Sequence, residues 1–502
     1  MSYLILLPII LPIVIGSTLL ISSFKEHLNK NNDYENKSAK ELKVIHVVSL
    51  VTLLISAIVA VYVSMKNGLT LTLFYLMKDI PIYFQVDDIS LLFVAFVSIV
   101  FVLVGIYSCV YMNHEKEEKR FFGFFLVVYG VLVALDLAGN LITLYLFYEL
   151  MSLTSMPFVL HNGSHESIMA SLKYLLYSMT GAYLGLFGIF ILSKYTTSLT
   201  FIAGGTLDVA LVSQNKTLVL IAIMCMLIGF GAKAGMFPLH AWLPSAHPVA
   251  PSPASGVLSS IIVKCGVLAI VRVVYYIVGP EFIAGTWVQT TWMVLTLLTV
   301  FMGSLLAYKE PILKKRLAYS SVSQVSYILF GLSVLTPTGL TGGLLHTLFH
   351  VFIKCGLFLT AGIFIFKCHK TRVEELKGIG KSMPITLWCY TIISLGLIGI
   401  PPTTGFISKW YLAQGALEAN IGVISYVGPI ILLISALLTA GYLLEITING
   451  FFPGKDTVIE KGEEAHPMMW GPLAVFAILT IVLGVFPSPI IEFLSNIVGL
   501  LF

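Results

Sequence analysis

Apolar residues along this chain come in long runs separated by short polar loops. A bilayer span needs roughly 20 apolar residues. Runs of that length predict about fourteen spans, near 2–23, 44–64, 88–112, 121–138, 140–160, 167–193, 217–237, 252–278, 287–308, 313–335, 339–366, 384–413, 424–451 and 469–500. The pattern predicts an all-α integral membrane protein. The first run has no basic stretch before it and no small-residue cleavage site, which predicts a retained helix. The polar stretch that follows, KEHLNKNNDYENKSAKELK, reads as a solvated surface hairpin.

Composition agrees: 58% of residues are hydrophobic, 11% are charged and the mean hydropathy is +0.95, beyond what a water-soluble domain of 502 residues carries. Almost nothing is left for a soluble domain. Basic residues then set the orientation, because Lys and Arg are retained on the cytoplasmic side. Loops after odd-numbered spans hold nineteen of them, among them Lys30, Lys37, Lys314, Lys315, Arg316, Lys455 and Lys461, whereas the other loops hold only Lys66, Lys78, Lys194 and Lys216. Both termini are expected outside.

Of the 29 Lys and Arg, 29 − 23 = 6 remain inside or at the ends of spans: Lys173, Lys233, Lys264, Arg272, Lys354 and Lys409. Charge at that depth is expensive and marks a functional candidate by default. Lys173 and Arg272 lie near span ends, from which a long side chain reaches the interface. The other four lie deeper. Glu149 is their deepest acidic counterpart, Asp136 is explained by helix capping, and Glu445 lies within reach of the interface.

Two stretches break the helical pattern. GFGAKAGMFPLHAWLPSAHPVAPSPASG (229–256) carries Lys233, Pro238, His240 and His247; GIPPTTGFISKW places Pro401, Pro402 and Gly405 just before Lys409. A break in hydrocarbon is tolerated only where it is buried in protein or lines a cavity. Paired breaks in corresponding positions are a signature of inverted repeats. These two fall in the seventh and twelfth spans, five apart. The expected organisation is three helices in 1–112, a five-helix repeat in 121–278, a second in 287–451 and a last helix in 469–502. Between the breaks, HTLFHVFIK stacks His346, His350 and Lys354 at i, i+4 and i+8, over about 12 Å of one helix face. Three titratable groups on one stripe predict a proton relay, whereas His240 and His247 read equally well as core histidines.

The six cysteines show no CxxC spacing, which argues against iron–sulfur or zinc ligation, and no phosphate-binding glycine loop is present. No cofactor, metal or catalytic residue is expected in this chain, and no nucleic-acid partner. A self-sufficient transporter of a small solute is the alternative, since it too would carry broken helices.

Together, PLHAWLPSAHPVAP, the FYE around Glu149, LKKRLAYSSVSQVSYILFG, the histidine ladder and GIPPTTGFISKW resemble the antiporter-like subunits shared by respiratory complex I, Mrp-type cation/proton antiporters and membrane-bound energy-converting hydrogenases. The resemblance runs over essentially the whole chain. It implies about 14 helices with inverted repeats in spans 4–8 and 9–13, and a mid-membrane row of charges. By motif, Glu149 and Lys233 would be the paired charges of the first half, Lys264 the connecting lysine, His346, His350 and Lys354 the bridge, and Lys409 the charge of the second half. Lysine rather than glutamate at 409 leans toward Mrp D-like, hydrogenase-type or other lysine-bearing members. The ending within the last span implies no long lateral helix. The resemblance further implies a prokaryotic cell membrane, partner membrane subunits including further antiporter-like ones, H⁺ as the translocated ion, and any redox chemistry on partners. It leaves open Na⁺ passage, the power source, and the roles of Asp136, Lys173, His240 and Glu445.

Overall fold

A computed structural model describes residues 2–28, 39–77, 80–454 and 462–502. Lys30, Lys37, Lys78, Lys455, Lys461 and most of the 25–43 loop lie outside the described residues. Apart from connecting loops, the described residues are helical except for one hairpin. Its long helices are α1 (Leu7–Leu28), α2 (Ala39–Ser64), α3 (Asp88–Glu115), α4 (Glu118–Asp136), α5 (Leu141–Val159), α6 (His165–Leu192) and α7 (Lys216–Ala234). After the short α8 (Leu243–Val249) come α9 (Ser252–Val278), α10 (Trp287–Lys309), α11 (Leu313–Ser333), α12 (Pro337–Cys368), α13 (Pro384–Ile398), α14 (Thr404–Glu418), α15 (Ile424–Phe451), α16 (Pro467–Val485) and α17 (Ser488–Gly499). Among the described residues, eleven helices are long and apolar enough to cross a membrane.

The two helices that carry Lys264, Arg272 and Lys354, three of the six intramembrane cations, are the innermost. The most apolar window of α9 is wholly buried and that of α12 is 94% buried, against 28% for the first helix. Outer helices present Leu, Ile and Phe outward, as lipid-facing surfaces do, so a polar residue on α9 or α12 meets only protein.

Three features differ from the sequence reading. Residues between α2 and α3 form an antiparallel hairpin, β1 (Thr70–Met77) with β2 (Ile80–Gln85), in the register Thr70↔Gln85 and Leu71↔Phe84. Its β-branched and aromatic residues favour a strand, and Gln85 N donates to Leu137 O, tying it to the α4–α5 turn. The run near 469–500 is not one helix: α16 ends at Val485, and Ser488–Gly499 restarts after Pro487, which cannot continue a hydrogen-bond ladder. Lys314 and Arg316, counted among loop residues, are 6% and 5% exposed. Lys314 Nζ donates to Ala250 O at 2.5 Å, and Arg316 donates to Glu310 O and Tyr442 O.

Arg272 does not reach an interface either. Its guanidinium is 1% exposed and grips Asp87 with both terminal nitrogens, at 2.5 and 2.8 Å, with Ser90 at 3.1 Å and the rings of Phe201 and Tyr276 beside it. Asp87 also caps α3 through Ser90 N. Burial alone would raise the Asp87 carboxyl, but the guanidinium and the Ser90 bonds outweigh it and hold the group below the usual carboxylate range. The pair clamps the N-terminal helices to α9. Asp87→Asn leaves the guanidinium buried without a counter-charge. It is expected to lower stability by about 3–5 kcal/mol, read as a lower melting temperature in detergent; an unchanged melt would mean that the clamp carries no load.

Candidate functional site

Both helix breaks end on a left-handed glycine and set a lysine at the freed end. Helix α7 stops at Gly235 (φ +79°), whose N–H turns back to Ala232 O and Gly231 O, while Trp242 Nε1 also donates to Ala232 O. Helix α13 stops at Gly399 (φ +90°). There Lys409 Nζ donates to Leu397 O and Ile398 O, both at 2.7 Å, so the cation lies on the negative end of the helix dipole and satisfies carbonyls the ladder leaves free. Pro238 sits in the α7–α8 turn and Pro401 and Pro402 in the α13–α14 turn. Gly405 lies so close to Gly396 O that no side chain fits.

Lys233, wholly buried in the last turn of α7, donates to Tyr174 Oη and Ser178 Oγ, each at 2.9 Å, and lies 4.3 Å from the Tyr174 ring centroid. Tyr148 and Trp242 complete an aromatic cage around the ammonium. Glu149, half-buried, accepts instead from Tyr145 Oη at 3.1 Å, and among the described residues no ion pair joins it to Lys233. The carboxylate expected to hold the lysine is thus replaced, in direct contact, by two hydroxyls one turn apart on α6.

Lys264 occupies the middle of α9, just past a π-helical stretch, Leu258–Ile262. A π turn frees backbone groups and recurs at functional sites; here Lys264 Nζ takes up Ser259 O at 3.0 Å. The same nitrogen lies 2.5 Å from His350 Nδ1 on α12. Lys264 and His350 therefore join the two halves of the molecule directly. The His346 ring follows His350 at 6.0 Å, stacks on Tyr327 at 5.5 Å and contacts Ser408 Oγ through Nδ1 at 2.9 Å. Lys409, next in sequence, holds its Nζ 5.2 Å from the Tyr327 ring. Lys354 turns away and donates to Leu317 O and Ser320 Oγ.

Contacts thus run from Lys264 through His350 and His346 to Ser408 inside a buried interior, with the half-buried Lys409 next to Ser408 in sequence, while Lys233 sits in its own cage on α7, the helix packed against α9. His346 Nε2, His350 Nε2, Tyr148 Oη, both amide atoms of Gln324 and both ring nitrogens of His247 are buried without a hydrogen-bond partner among the described residues. Each such atom costs about 1–3 kcal/mol, so stability does not explain keeping them.

The remaining candidates lie apart from this line. Lys173 Nζ donates to Ser245 Oγ at 2.9 Å at the α6–α8 surface, and His240 stacks on Phe237. Glu445 accepts from Arg316 at 2.6 Å. Asp136 is the last residue of α4 but caps nothing: its Oδ2 is buried without a partner among the described residues. The sequence reading missed Tyr174, Ser178, Ser320, Tyr327 and Ser408. Only the i, i+4 spacing of Tyr174 and Ser178 offered a signal.

The fold and this line of residues can be set beside known proteins. Residues 138–439 match the family described as NADH:quinone oxidoreductase/Mrp antiporter, TM, and residues 77–122 match NADH-ubiquinone oxidoreductase (complex I), chain 5 N-terminus. NADH-quinone oxidoreductase subunit N of Desulforudis audaxviator is 33% identical over 76% of this chain and 77% of its own. A Na(+)/H(+) antiporter subunit of Alkalihalophilus pseudofirmus is 27% identical over 98% of this chain and 96% of its own. Among solved structures, a chain of the Mrp complex from Dietzia superposes with a TM-score of 0.81 at 22% identity, covering 100% of this chain and 97% of that one. A chain of respiratory complex I from Thermus thermophilus gives 0.80 at 22% identity, covering 100% and 99%. With 302 of its 502 residues matched by one family and 33% identity to the Desulforudis protein over 76% of this chain and 77% of that one, this chain belongs to the NADH:quinone oxidoreductase/Mrp antiporter transmembrane family.

Proposed function

We propose that this chain is the ion-translocating, antiporter-like subunit of a multisubunit membrane complex, and that it passes protons stepwise along Lys233, Lys264, His350, His346 and Lys409, with Glu149 and Lys354 tuning the charge at either half. The observation that carries the reading is the Lys264–His350 contact. It joins α9, packed against the helix that carries Lys233, to α12, whose His346 reaches Ser408 beside Lys409, across the wholly buried centre of the molecule. Each site holds or releases a proton according to the charge on its neighbour, because in a low-dielectric interior the loss of one charge changes the next strongly. Relatives named as a Na(+)/H(+) antiporter subunit, as Hydrogenase-4 component B and as NADH-quinone oxidoreductase subunit N support a role inside a larger assembly over that of a self-sufficient solute transporter. That assembly supplies the driving reaction or the exchanged Na⁺.

The same reading divides the chain into three helices, two inverted five-helix repeats (121–278 and 287–451) and a C-terminal segment. Corresponding breaks after Lys233 and before Lys409 support it. So does the lysine that each repeat sets against its break. Five helices per repeat make the second copy enter from the opposite side. The lysine-rich loops then face the cytoplasm, and both termini face outward across a prokaryotic cell membrane. Reporter fusions after residue 375 are expected inside and fusions at Phe502 outside. A cytoplasmic C-terminus would dismiss the even span count and the inversion together.

The function itself is tested in inverted vesicles containing the complete complex. ΔpH formation is expected in wild type and is expected to be lost in Lys264→Ala with the complex still assembled. Full ΔpH formation in that variant would place the proton path in another subunit.

A further inference from the structure

Between α6 and α8, on the outer surface of the molecule, lies a cleft of about 800 Å³ that the buried lysines and histidines do not use. Glu166 lines it from the first turn of α6, and Lys173 lies on the same face about two turns further along. The exposed polar turn NGS (162–164) sets the start of α6 at the membrane surface, so Lys173 is the deeper of the two. Its Nζ donates to Ser245 Oγ at 2.9 Å, which uses one of three N–H groups, and the serine hydroxyl donates onward to Ala241 O. Among the described residues no ion pair engages either Glu166 or Lys173. Beside and beyond Lys173 the surface is apolar. Leu172, Leu176, Met179 and Tyr183 make one exposed stripe along α6. It runs about 16 Å, roughly one leaflet of a bilayer core.

A lysine near a helix end usually snorkels to water. Lys173 instead reaches sideways to α8, and two of its N–H groups stay open beside hydrocarbon. From water inward the cleft offers a carboxylate, then an ammonium, then an apolar stripe. A phospholipid with a cationic headgroup presents the complementary order: ammonium outermost, phosphate next, acyl chains last. Helical side chains lean toward the start of their helix, which brings the Lys173 ammonium nearer Glu166 than the two backbones are. The same order selects among headgroups. Phosphatidylglycerol sets no cation against Glu166, and the methylated ammonium of phosphatidylcholine has no N–H to give it. Phosphatidylethanolamine supplies a phosphate for the open N–H groups of Lys173 and a primary ammonium for the Glu166 carboxylate.

We propose that the α6–α8 cleft is a binding site for phosphatidylethanolamine, with the phosphate on Lys173, the ammonium on Glu166 and an acyl chain along Leu172, Leu176, Met179 and Tyr183, and that the bound lipid braces α8 against α6. The brace matters because both elements hold Lys233. Tyr174 and Ser178, which accept from the Lys233 ammonium, follow Lys173 on α6. Trp242, which lies over that ammonium and donates to Ala232 O, comes three residues before Ser245. The lipid therefore spans the two walls of the Lys233 cage without entering it. The site goes beyond the translocating role proposed above and does not depend on it.

The test uses the complete complex in bilayer discs and three photoreactive lipids that share one diazirine-bearing acyl chain and differ only in headgroup: phosphatidylethanolamine, phosphatidylcholine and phosphatidylglycerol. Crosslinks to His165–Leu192 are mapped by peptide mass spectrometry. The ethanolamine lipid is expected to label this helix about three- to fivefold more than either of the others, the range that one partly exposed ion pair supports. Lys173→Gln keeps a hydrogen bond to Ser245 and is expected to abolish the preference; Glu166→Lys is expected to transfer it to phosphatidylglycerol. Hydrogen exchange at the amides of Leu243–Val249 is expected to be slower by a similar factor in ethanolamine than in choline discs, and equally fast in both for Lys173→Gln. Equal labelling by the three lipids overturns the site and leaves ordinary boundary lipid. A wild-type preference for the choline or glycerol lipid overturns it too, as does a preference that survives both substitutions. Absence of any lipid crosslink on α6 also overturns it and means that a neighbouring subunit covers the cleft. Lipid-independent exchange on α8 in wild type overturns the brace.

Discussion

Vesicles carrying Lys233→Arg are expected to contain the complex in near wild-type amounts and to form ΔpH about 100-fold more slowly, a loss within the range attributed to a positioned proton donor or acceptor. The argument turns on what the site offers a cation. Lys233 is wholly buried, with two hydroxyl acceptors and three aromatic rings around its nitrogen. A guanidinium satisfies all of these, by hydrogen bonds to Tyr174 and Ser178 and by stacking on the rings. What it cannot do is give up its proton at any working pH. Lys233→Ala is less informative, because it removes the charge, the hydrogen bonds and the packing at once. Wild-type transport by the arginine variant would make position 233 an electrostatic fixture, and the path would have to begin at Lys264.

The lysine positions were legible in the sequence because each one violates its surroundings. A lysine in FGAKAGM or FISKWYL has no local partner, and membrane solvation makes that violation expensive. The ladder was legible because helix periodicity is local, so i, i+4 and i+8 share a face wherever the helix packs. The partners were not, because they depend on which helices meet. Ser408 neighbours Lys409 in sequence yet serves His346 on α12, and Arg272 finds Asp87, 185 residues away. Tyr174 and Ser178 displaced Glu149 from direct contact with Lys233 because α6, packed along α7, offers hydroxyls nearer the ammonium than α5 offers its carboxylate. The misreading of Lys314 and Arg316 has the same origin. A basic cluster after a short turn looks like a solvated loop until the carbonyls of Ala250, Glu310 and Tyr442 appear in front of it.

The Lys264–His350 contact is expected to behave as one unit when its members are removed separately and together. At 2.5 Å, with both residues 0–1% exposed, it is the only direct side-chain bond between α9 and the ladder among the described residues. His350→Gln keeps roughly the volume and hydrogen-bonding capacity but cannot take up a proton near neutral pH, so it is expected to assemble and to lose about 10- to 100-fold in ΔpH formation. Lys264→Met keeps an unbranched chain only one atom shorter, and it gives up the bond to Ser259 O together with the proton site. It is expected to lose at least as much. Were the two residues independent steps, their losses would multiply in the double variant. As donor and acceptor of a single transfer, they are expected to be strongly non-additive, the double variant falling within about threefold of the worse single. Multiplying losses would show that protons pass Lys264 and His350 along separate routes, and the two halves of the molecule would then be coupled by charge alone.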